Sequence, residues 1–211
     1  MAKHFPKDYD PFEDLNDEPV VVPMVTYTER KSIPVWLDLL LTALITVAVV
    51  VVMRIFVADT YQVPTGSMLE TIQLGDRLVG EKISYRFRTP KAGEVVTFDD
   101  PSDPSVTLIK RVIATEGQTV ELTGGVVYVD GVALTETYVQ GQTMPLAGYA
   151  PNLDAAIVYP YTVPEGCVWV MGDNRENSLD SRYFGPVKLE DVTSRARIIY
   201  WPPEDAGTLA G

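Results

Sequence analysis

The sequence predicts a mostly β fold, an antiparallel β-rich domain that follows one long apolar helix. Three observations carry this prediction. Residues 39–53 form an uncharged apolar run, short segments of β-branched and aromatic residues follow residue 57, and no long amphipathic helical pattern appears there. The chain has 211 residues, 46% apolar and 22% charged, which is ordinary for a chain that buries a core.

Residues 1–32 are predicted to be a disordered tail on the cytoplasmic side. They contain four basic and seven acidic residues, and four prolines interrupt any regular element. The only apolar run, Val20–Val22, is too short to build a core. A docking role for this tail is the less favoured alternative.

Residues 33–56 are predicted to be a transmembrane anchor helix. Of the 22 residues between Lys31 and Arg54, only Asp38 is charged, and about 20 apolar residues suffice to cross a bilayer. Apolar residues cover all sides of this helix, which disfavours a buried core helix. The run starts far from the N-terminus and follows an acidic region, which disfavours a cleaved signal peptide. Arg30 and Lys31 outnumber Arg54, which favours a cytoplasmic N-terminus.

Residues 57–211 are predicted to form one β-rich domain with an insertion at about 120–168. One glycine pair, Gly124-Gly125, and the Asp130-Gly131 turn flank residues 126–129 and indicate a hairpin. Residues 135–165 are interpreted as a surface loop without chemistry. The predicted strands are 79–87, 94–98, 106–114, 119–122, 126–129, 167–171 and 196–201.

Composition excludes several classes of function. The net charge of −12, with no basic cluster larger than a pair, disfavours nucleic-acid binding. One cysteine, Cys167, excludes an intrachain disulfide and a thiolate metal cluster. The one histidine, His4, lies in the polar tail, which disfavours a histidine-based triad, a zinc peptidase site and a haem site. We therefore expect no metal and no cofactor, and chemistry by Ser, Lys, Tyr or carboxylates.

Ser67 is the first candidate for chemistry. It follows Pro64 and Gly66 in a predicted exposed turn directly after the anchor, where its hydroxyl and the nearby backbone N–H groups can face a ligand. The motif alone is common and equally describes a simple turn. The polar segment Gly172–Gly185 is the second candidate, as a hydrogen-bonded loop that supports a site or, alternatively, a surface Asp–Arg cluster.

Lys110 is the candidate that activates Ser67. On a strand it shares a face with Leu108 and Val112, and a lysine desolvated in this way loses preference for its charged form. Such an amine can act as a general base, and a Ser–Lys dyad is a natural solution without histidine.

Four ordered motifs together resemble bacterial type I signal peptidases. The motifs are Pro64–Met68, Gly75–Val79 with Lys82, Ile109–Val112 and Gly172–Arg182. The last is highly specific, and the resemblance covers the anchor and residues 60–186. It implies a membrane-bound Ser–Lys serine endopeptidase that cleaves signal peptides from exported preproteins after small residues. Its partners would be signal peptides and the lipid bilayer, and its β domain would face the outer side of the bacterial plasma membrane.

The resemblance also implies roles for individual residues. Ser67 would be the nucleophile and Lys110 the general base, while the Ser67 N–H and the Thr65 hydroxyl would form the oxyanion hole. Ser178 would hydrogen-bond Lys110 and orient it, and Gly172 would leave room beside it. Family members usually have serine where Thr65 stands.

Asp180 is expected, by the same resemblance, to pair with Arg182 and to lie near Arg111, bracing the loop beneath the dyad. Glu70 stands where the family commonly has proline, and the short stretch before Gly172 indicates a compact, Gram-positive-like form. The predicted walls of a small substrate pocket are Val63, Pro64, Met68, Ile72 and Leu108 or Ile109.

Lys82 is the other lysine to consider as a base. Lys3, Lys7 and Lys31 lie across the predicted membrane, and Lys91 and Lys188 lie in polar turns. We expect the neighbouring Glu81 to keep Lys82 charged, which leaves Lys110.

The sequence alone leaves two alternative functions to consider. A self-cleaving repressor would resemble this fold and dyad, but the anchor and the absence of a basic DNA-binding domain count against it. The other rival is a non-catalytic, membrane-tethered β module that binds extended peptides at a sheet edge. A discrete cut in a preprotein would separate the enzyme from the binding module.

Overall fold

One long helix precedes the β strands. The computed structural model describes residues 34–146 and 156–209, so the predicted tail, residues 1–32, lies outside the described residues. Helix α1, Val35–Phe56, has 22 residues and no buried side chain. At 1.5 Å per residue it is about 33 Å long, enough to cross the hydrocarbon core of a bilayer. Within the described ranges it is the one helix of sufficient length and apolar composition, and the prediction of an apolar helix here is confirmed.

The β strands form two antiparallel sheets. In chain order, the strands of the described residues are β1 Ala58–Gln62, β2 Arg77–Glu81, β3 Val95–Asp100, β4 Asp103–Thr115, β5 Thr119–Thr123, β6 Val126–Val129, β7 Val132–Ala133, β8 Tyr161–Thr162, β9 Cys167–Met171, β10 Val187–Lys188, β11 Val192–Trp201 and β12 Gly207–Thr208. The larger sheet has the order β1-β2-β11-β3-β4-β9-β10, with β12 paired to β11. The smaller sheet has the order β7-β6-β5-β8. The predicted mostly β, antiparallel fold class is therefore confirmed.

Buried apolar side chains hold these sheets in place. One cluster packs beneath the segment that carries Ser67 and includes Val63, Met68, Ile72 and Leu78. The smaller sheet packs against Trp169 through a second cluster. A third cluster lies around Phe98 and Phe184, whose rings meet edge to face at 6.0 Å.

The structure differs from the sequence prediction at several elements, of which three show the physical cause. The predicted strand 79–87 ends at Glu81, because the carboxylate of Glu81 accepts a hydrogen bond from the Ser84 amide at 3.0 Å and a 3₁₀ turn, Ser84–Arg86, follows. Strand β1 has no clear apolar alternation and forms because β2 offers it a partner. Helix α2, Ser181–Phe184, is too short to show a period in the sequence.

Candidate active site

Ser67 lies on a turn that is anchored at both ends. The Val63 amide donates to the Asp76 carbonyl at 2.9 Å, and the Gly75 amide donates back to the Val63 carbonyl at 2.8 Å. On the other side of the serine, Met68 is buried at 1% exposure in the core. The turn is therefore held to the start of β2 and to the core, while Ser67 itself stays partly exposed.

Lys110 reaches Ser67 from the middle of β4. It is paired with Val96 of β3, so its backbone position is set by the centre of the larger sheet. The Nζ atom lies 2.8 Å from Oγ of Ser67 and donates to the carbonyl of Ile109 at 3.0 Å. The structure thus brings together the two residues that the sequence singled out.

The environment of Lys110 favours a neutral amine. Only 3% of the residue is exposed, and this burial lowers the pKa of the Lys110 ammonium to about 8. Asp180, Asp100 and Asp173 oppose that effect, because their negative charges favour the ammonium form. Burial outweighs them, so a substantial fraction of neutral amine is present at mildly alkaline pH.

Lys82 is bound elsewhere. Its ammonium lies 2.5 Å from the carboxylate of Asp59 and donates to the Arg54 carbonyl at 3.3 Å. The carboxylate that contacts it is therefore Asp59 rather than the predicted Glu81, because Glu81 accepts from Ser84 instead. Lys82 directly follows β2, and among the described residues its ammonium makes no hydrogen bond to Ser67.

The polar loop that follows β9 holds the serine turn. The amide of Asn174 donates to the Ser67 carbonyl at 3.1 Å, and its side-chain Nδ2 donates to the Gly66 carbonyl at 2.9 Å. A Cβ atom at Gly172 would lie closer than 3.0 Å to the Ser67 carbonyl and to the Ser178 hydroxyl. Glycine at that position therefore permits the close approach of the loop to the turn that carries Ser67. The expected room beside Lys110 stays a prediction, because the nearest atoms belong to Ser67 and Ser178.

Two buried ion pairs stiffen the same loop. Asp180 pairs with Arg182 at 2.8 Å, as predicted, and also accepts a hydrogen bond from the Gly172 amide at 3.0 Å. Arg111 pairs with Asp173, through Nε at 2.9 Å and Nη2 at 2.7 Å. Asp173 therefore lies opposite the Arg111 guanidinium in a two-point pair, and the expectation that Asp180 lies near Arg111 stays a prediction.

Ser178 differs from its predicted role. Its hydroxyl is buried and has no hydrogen-bond partner within residues 34–146 and 156–209. The predicted hydrogen bond to Lys110 is therefore not formed. The physical reason is that Nζ of Lys110 is directed to Ser67 and the Ile109 carbonyl, whereas the Ser178 hydroxyl packs next to Gly172.

A cleft of about 130 Å³ opens next to the dyad. Its lining residues are Tyr61, Gln62, Val63, Pro64, Thr65, Ser67, Met68, Val106, Thr107, Leu108, Ile109 and Lys110. Ile72, a predicted wall, is fully buried in the core and does not line it. Larger surface hollows exist, such as one of about 410 Å³ beside Lys91 and Cys167, but they contain neither residue of the dyad.

Sequence reasoning missed several residues of this site, among them Asp173, Asn174 and Tyr61. Asp173 and Asn174 lie inside the specific loop motif but received no role of their own, although their position beside Gly172 was a usable signal. Tyr61 lines the cleft from β1, a strand that the sequence did not predict. Its hydroxyl lies 3.3 Å from that of Ser194, across the sheet.

A serine hydroxyl beside a buried lysine amine, next to an apolar cleft, is an arrangement found among serine hydrolases. Comparison with known proteins specifies the family. The family model described as signal peptidase, peptidase S26, matches residues 36–201. The chain belongs to this signal peptidase family and is an enzyme, a serine endopeptidase of the signal peptidase I type.

Several relatives are similar over most of the chain. The probable signal peptidase I-1 of Synechocystis sp. is 39% identical over 187 residues, which are 85% of this chain and 86% of that protein. Signal peptidase I of Leptolyngbya laminosa is 37% identical over 163 residues, 74% of this chain and 75% of that protein. The crystal structure of a signal peptidase I from Enterococcus faecalis V583 is 30% identical and covers 51% of this chain and 97% of its own, with a TM-score of 0.41.

Proposed function

We propose that this chain cleaves signal peptides from exported preproteins by a Ser–Lys dyad mechanism and cuts after small residues. The observation that carries the proposal is the 2.8 Å separation of the Lys110 Nζ from the Ser67 Oγ, with the lysine buried and its pKa lowered to about 8. Membership of the signal peptidase family supports the choice of substrate.

Lys110 would act first as a general base and then as a general acid. The neutral amine removes the hydroxyl proton of Ser67 as Oγ attacks the scissile carbonyl carbon. The ammonium so formed gives that proton to the leaving amine, and the acyl group remains on Ser67. A water molecule, deprotonated by the neutral Lys110, then hydrolyses the ester and regenerates the serine.

The tetrahedral oxyanion would be held by the Ser67 N–H and the Thr65 hydroxyl. Thr65 lies in the same cleft wall as Ser67, two residues before it, which places a donor on the same turn. Such donors stabilise charge that develops only in the transition state.

Small residues suit the cleft. The narrow cleft of about 130 Å³, with apolar walls that include Val63, Pro64, Met68 and Ile109, would favour Ala, Gly or Ser before the scissile bond over a large side chain. The same preference would apply two residues earlier. One additional methylene changes selectivity only modestly, whereas a side chain that cannot enter is rejected outright.

Helix α1 would be the membrane anchor of the enzyme. Its apolar side chains are exposed along its whole length, which water would not favour. We infer a single span of the bacterial plasma membrane with the N-terminus in the cytoplasm, because preprotein cleavage sites emerge on the outer side.

Incubation of the detergent-solubilised full-length chain with a preprotein tests this function. We expect one discrete cut after an Ala-type residue, and no cut when that residue is changed to Phe. Ser67→Ala and Lys110→Met should abolish the cut, while Lys82→Met, a matched loss of a lysine outside the dyad, should leave activity. A preprotein that binds but stays intact with the wild-type chain would favour the peptide-binding module instead.

A further inference from the structure

The segment 136–144, interpreted from sequence as part of a surface loop, is hydrogen-bonded to the 172–182 loop. The Gln140 amide donates to the Asp173 carbonyl at 2.8 Å, and the Arg175 amide donates to the Gln140 carbonyl at 2.9 Å. These two hydrogen bonds form a parallel bridge between the segment and the loop. The insertion is therefore attached directly to the loop that holds the serine turn.

A buried ion pair is the centre of this attachment. Glu136 accepts two hydrogen bonds from Arg175, from Nη2 at 2.6 Å and from Nη1 at 3.0 Å. The Arg175 side chain has no exposed surface, and that of Glu136 is 9% exposed. The Thr143 hydroxyl accepts from Nη1 at 2.6 Å, and the Gly172 carbonyl accepts from Nε at 3.0 Å. A guanidinium buried in this way depends on its carboxylate, because loss of one partner leaves an uncompensated charge.

Glu136 is also linked to the lysine strand. Its Oε1 accepts a hydrogen bond from the Tyr138 hydroxyl at 3.1 Å. The Tyr138 ring centroid lies 3.9 Å from Cζ of Arg111, a stacking contact with the residue that directly follows Lys110. One carboxylate of the insertion thus contacts groups that reach both the polar loop and the strand of the dyad.

We propose that Glu136 is a positioning residue for the Ser67 nucleophile, an inference that rests on the proposed function. By fixing Arg175, Glu136 fixes the adjacent Asn174, whose amide and side chain hold the carbonyl oxygens of Ser67 and Gly66. The segment contributes no residue to the cleft wall. Loss of Glu136 should therefore displace the nucleophile and lower kcat, while substrate binding and KM stay nearly unchanged.

Glu136→Gln in the detergent-solubilised full-length chain tests the proposal. The matched control is Glu121→Gln, which removes an exposed carboxylate of β5 that accepts a hydrogen bond from Thr123. We expect Glu136→Gln to lower kcat by about 10- to 100-fold, the cost of a small displacement of reacting groups. KM should change less than about two-fold, because the contacts that bind substrate in both ground and transition states are kept. Glu121→Gln should match the wild type.

Amide hydrogen exchange gives a second readout. Glu136→Gln should speed exchange in peptides that cover residues 65–69 and 172–178, and leave those from β2 and β11 unchanged. A wild-type kcat, a rise in KM instead of a fall in kcat, or faster exchange throughout the domain would each overturn the positioning role.

The controls separate this inference from the proposed function. If the wild-type chain cleaves the preprotein and Ser67→Ala does not, the function holds, and Glu136→Gln decides the inference alone. An inactive wild type overturns both. If Glu136→Gln does not fold, Tyr138→Phe decides, because it keeps the ring and removes one donor to Glu136. A kcat lower by about five-fold, the scale of one hydrogen bond, supports the role, and an unchanged kcat refutes it.

Discussion

Lys110→Met is expected to stabilise the fold while abolishing cleavage. Burial lowers the pKa of Lys110 from 10.5 to about 8, so at pH 7 the folded chain holds a buried ammonium at a cost of about 3 kcal/mol, at roughly 1.4 kcal/mol per pKa unit. Methionine has a similar shape and no charge. The change also removes contacts with Ser67 and the Ile109 carbonyl, worth about 1 kcal/mol each. The expected net gain in the free energy of unfolding at pH 7 is about 1 kcal/mol.

The pH dependence of this difference identifies its cause. Between pH 8 and 10.5 the unfolded chain binds more protons at Lys110 than the folded chain, so the stability of the wild type rises with pH through that window. The methionine variant lacks this rise, so its advantage at pH 7 should disappear and reverse by pH 10. Urea unfolding of the two detergent-solubilised proteins at both pH values measures the difference. A difference that is independent of pH, or a variant that still cleaves preprotein, would refute the reasoning.

Four further predictions concern the reaction and the topology. The wild-type kcat/KM should rise from acidic pH with an apparent pKa near that of Lys110, about 8, because the neutral amine is the working form; a flat profile would exclude Lys110 as the base. Thr65→Val should lower kcat by about 10²–10³-fold through loss of an oxyanion donor, whereas Thr65→Ser should keep most activity, and a valine variant with normal kcat would remove Thr65 from the mechanism. Gly172→Ala should lower kcat by up to about 100-fold, because its Cβ would meet the Ser67 carbonyl; unchanged kinetics would contradict that clash. Protease added to intact spheroplasts should digest residues 57–211 and spare residues 1–32, and protection of the β domain would reverse the topology.

Local patterns were sufficient to predict the broad architecture. The apolar helix could be predicted because consecutive apolar residues form it. Parts of β3, β4, β9 and β11 could be predicted because β-branched residues cluster there. The sequence pattern failed to predict elements whose conformation depends on a hydrogen-bonding partner rather than on residue propensity. The polar strand β1 and the 3₁₀ turn at Ser84–Arg86 are the two examples. The boundaries of the predicted domains stay predictions.

The sequence by itself determined which residues are candidates for the chemistry. The one histidine, in the tail, left Ser, Lys, Tyr or carboxylates for the chemistry, and the apolar neighbours of Lys110 predicted the burial that the structure has. These inferences depend on residue types and on neighbours along one strand, which a sequence displays directly.

Only the tertiary structure decided which groups support the pair of Ser67 and Lys110. Arg111 pairs with Asp173, and Glu136 pairs with Arg175, 39 residues further along the chain. Ser178 lacks its predicted hydrogen bond to the dyad lysine. Residues so far apart along the chain have no common sequence period or spacing that predicts their contact. They come into contact because of the way two sheets and a connecting segment pack. The physical reason is that side-chain pairing in a buried site follows from three-dimensional proximity, which is set by the whole core and not by any local segment.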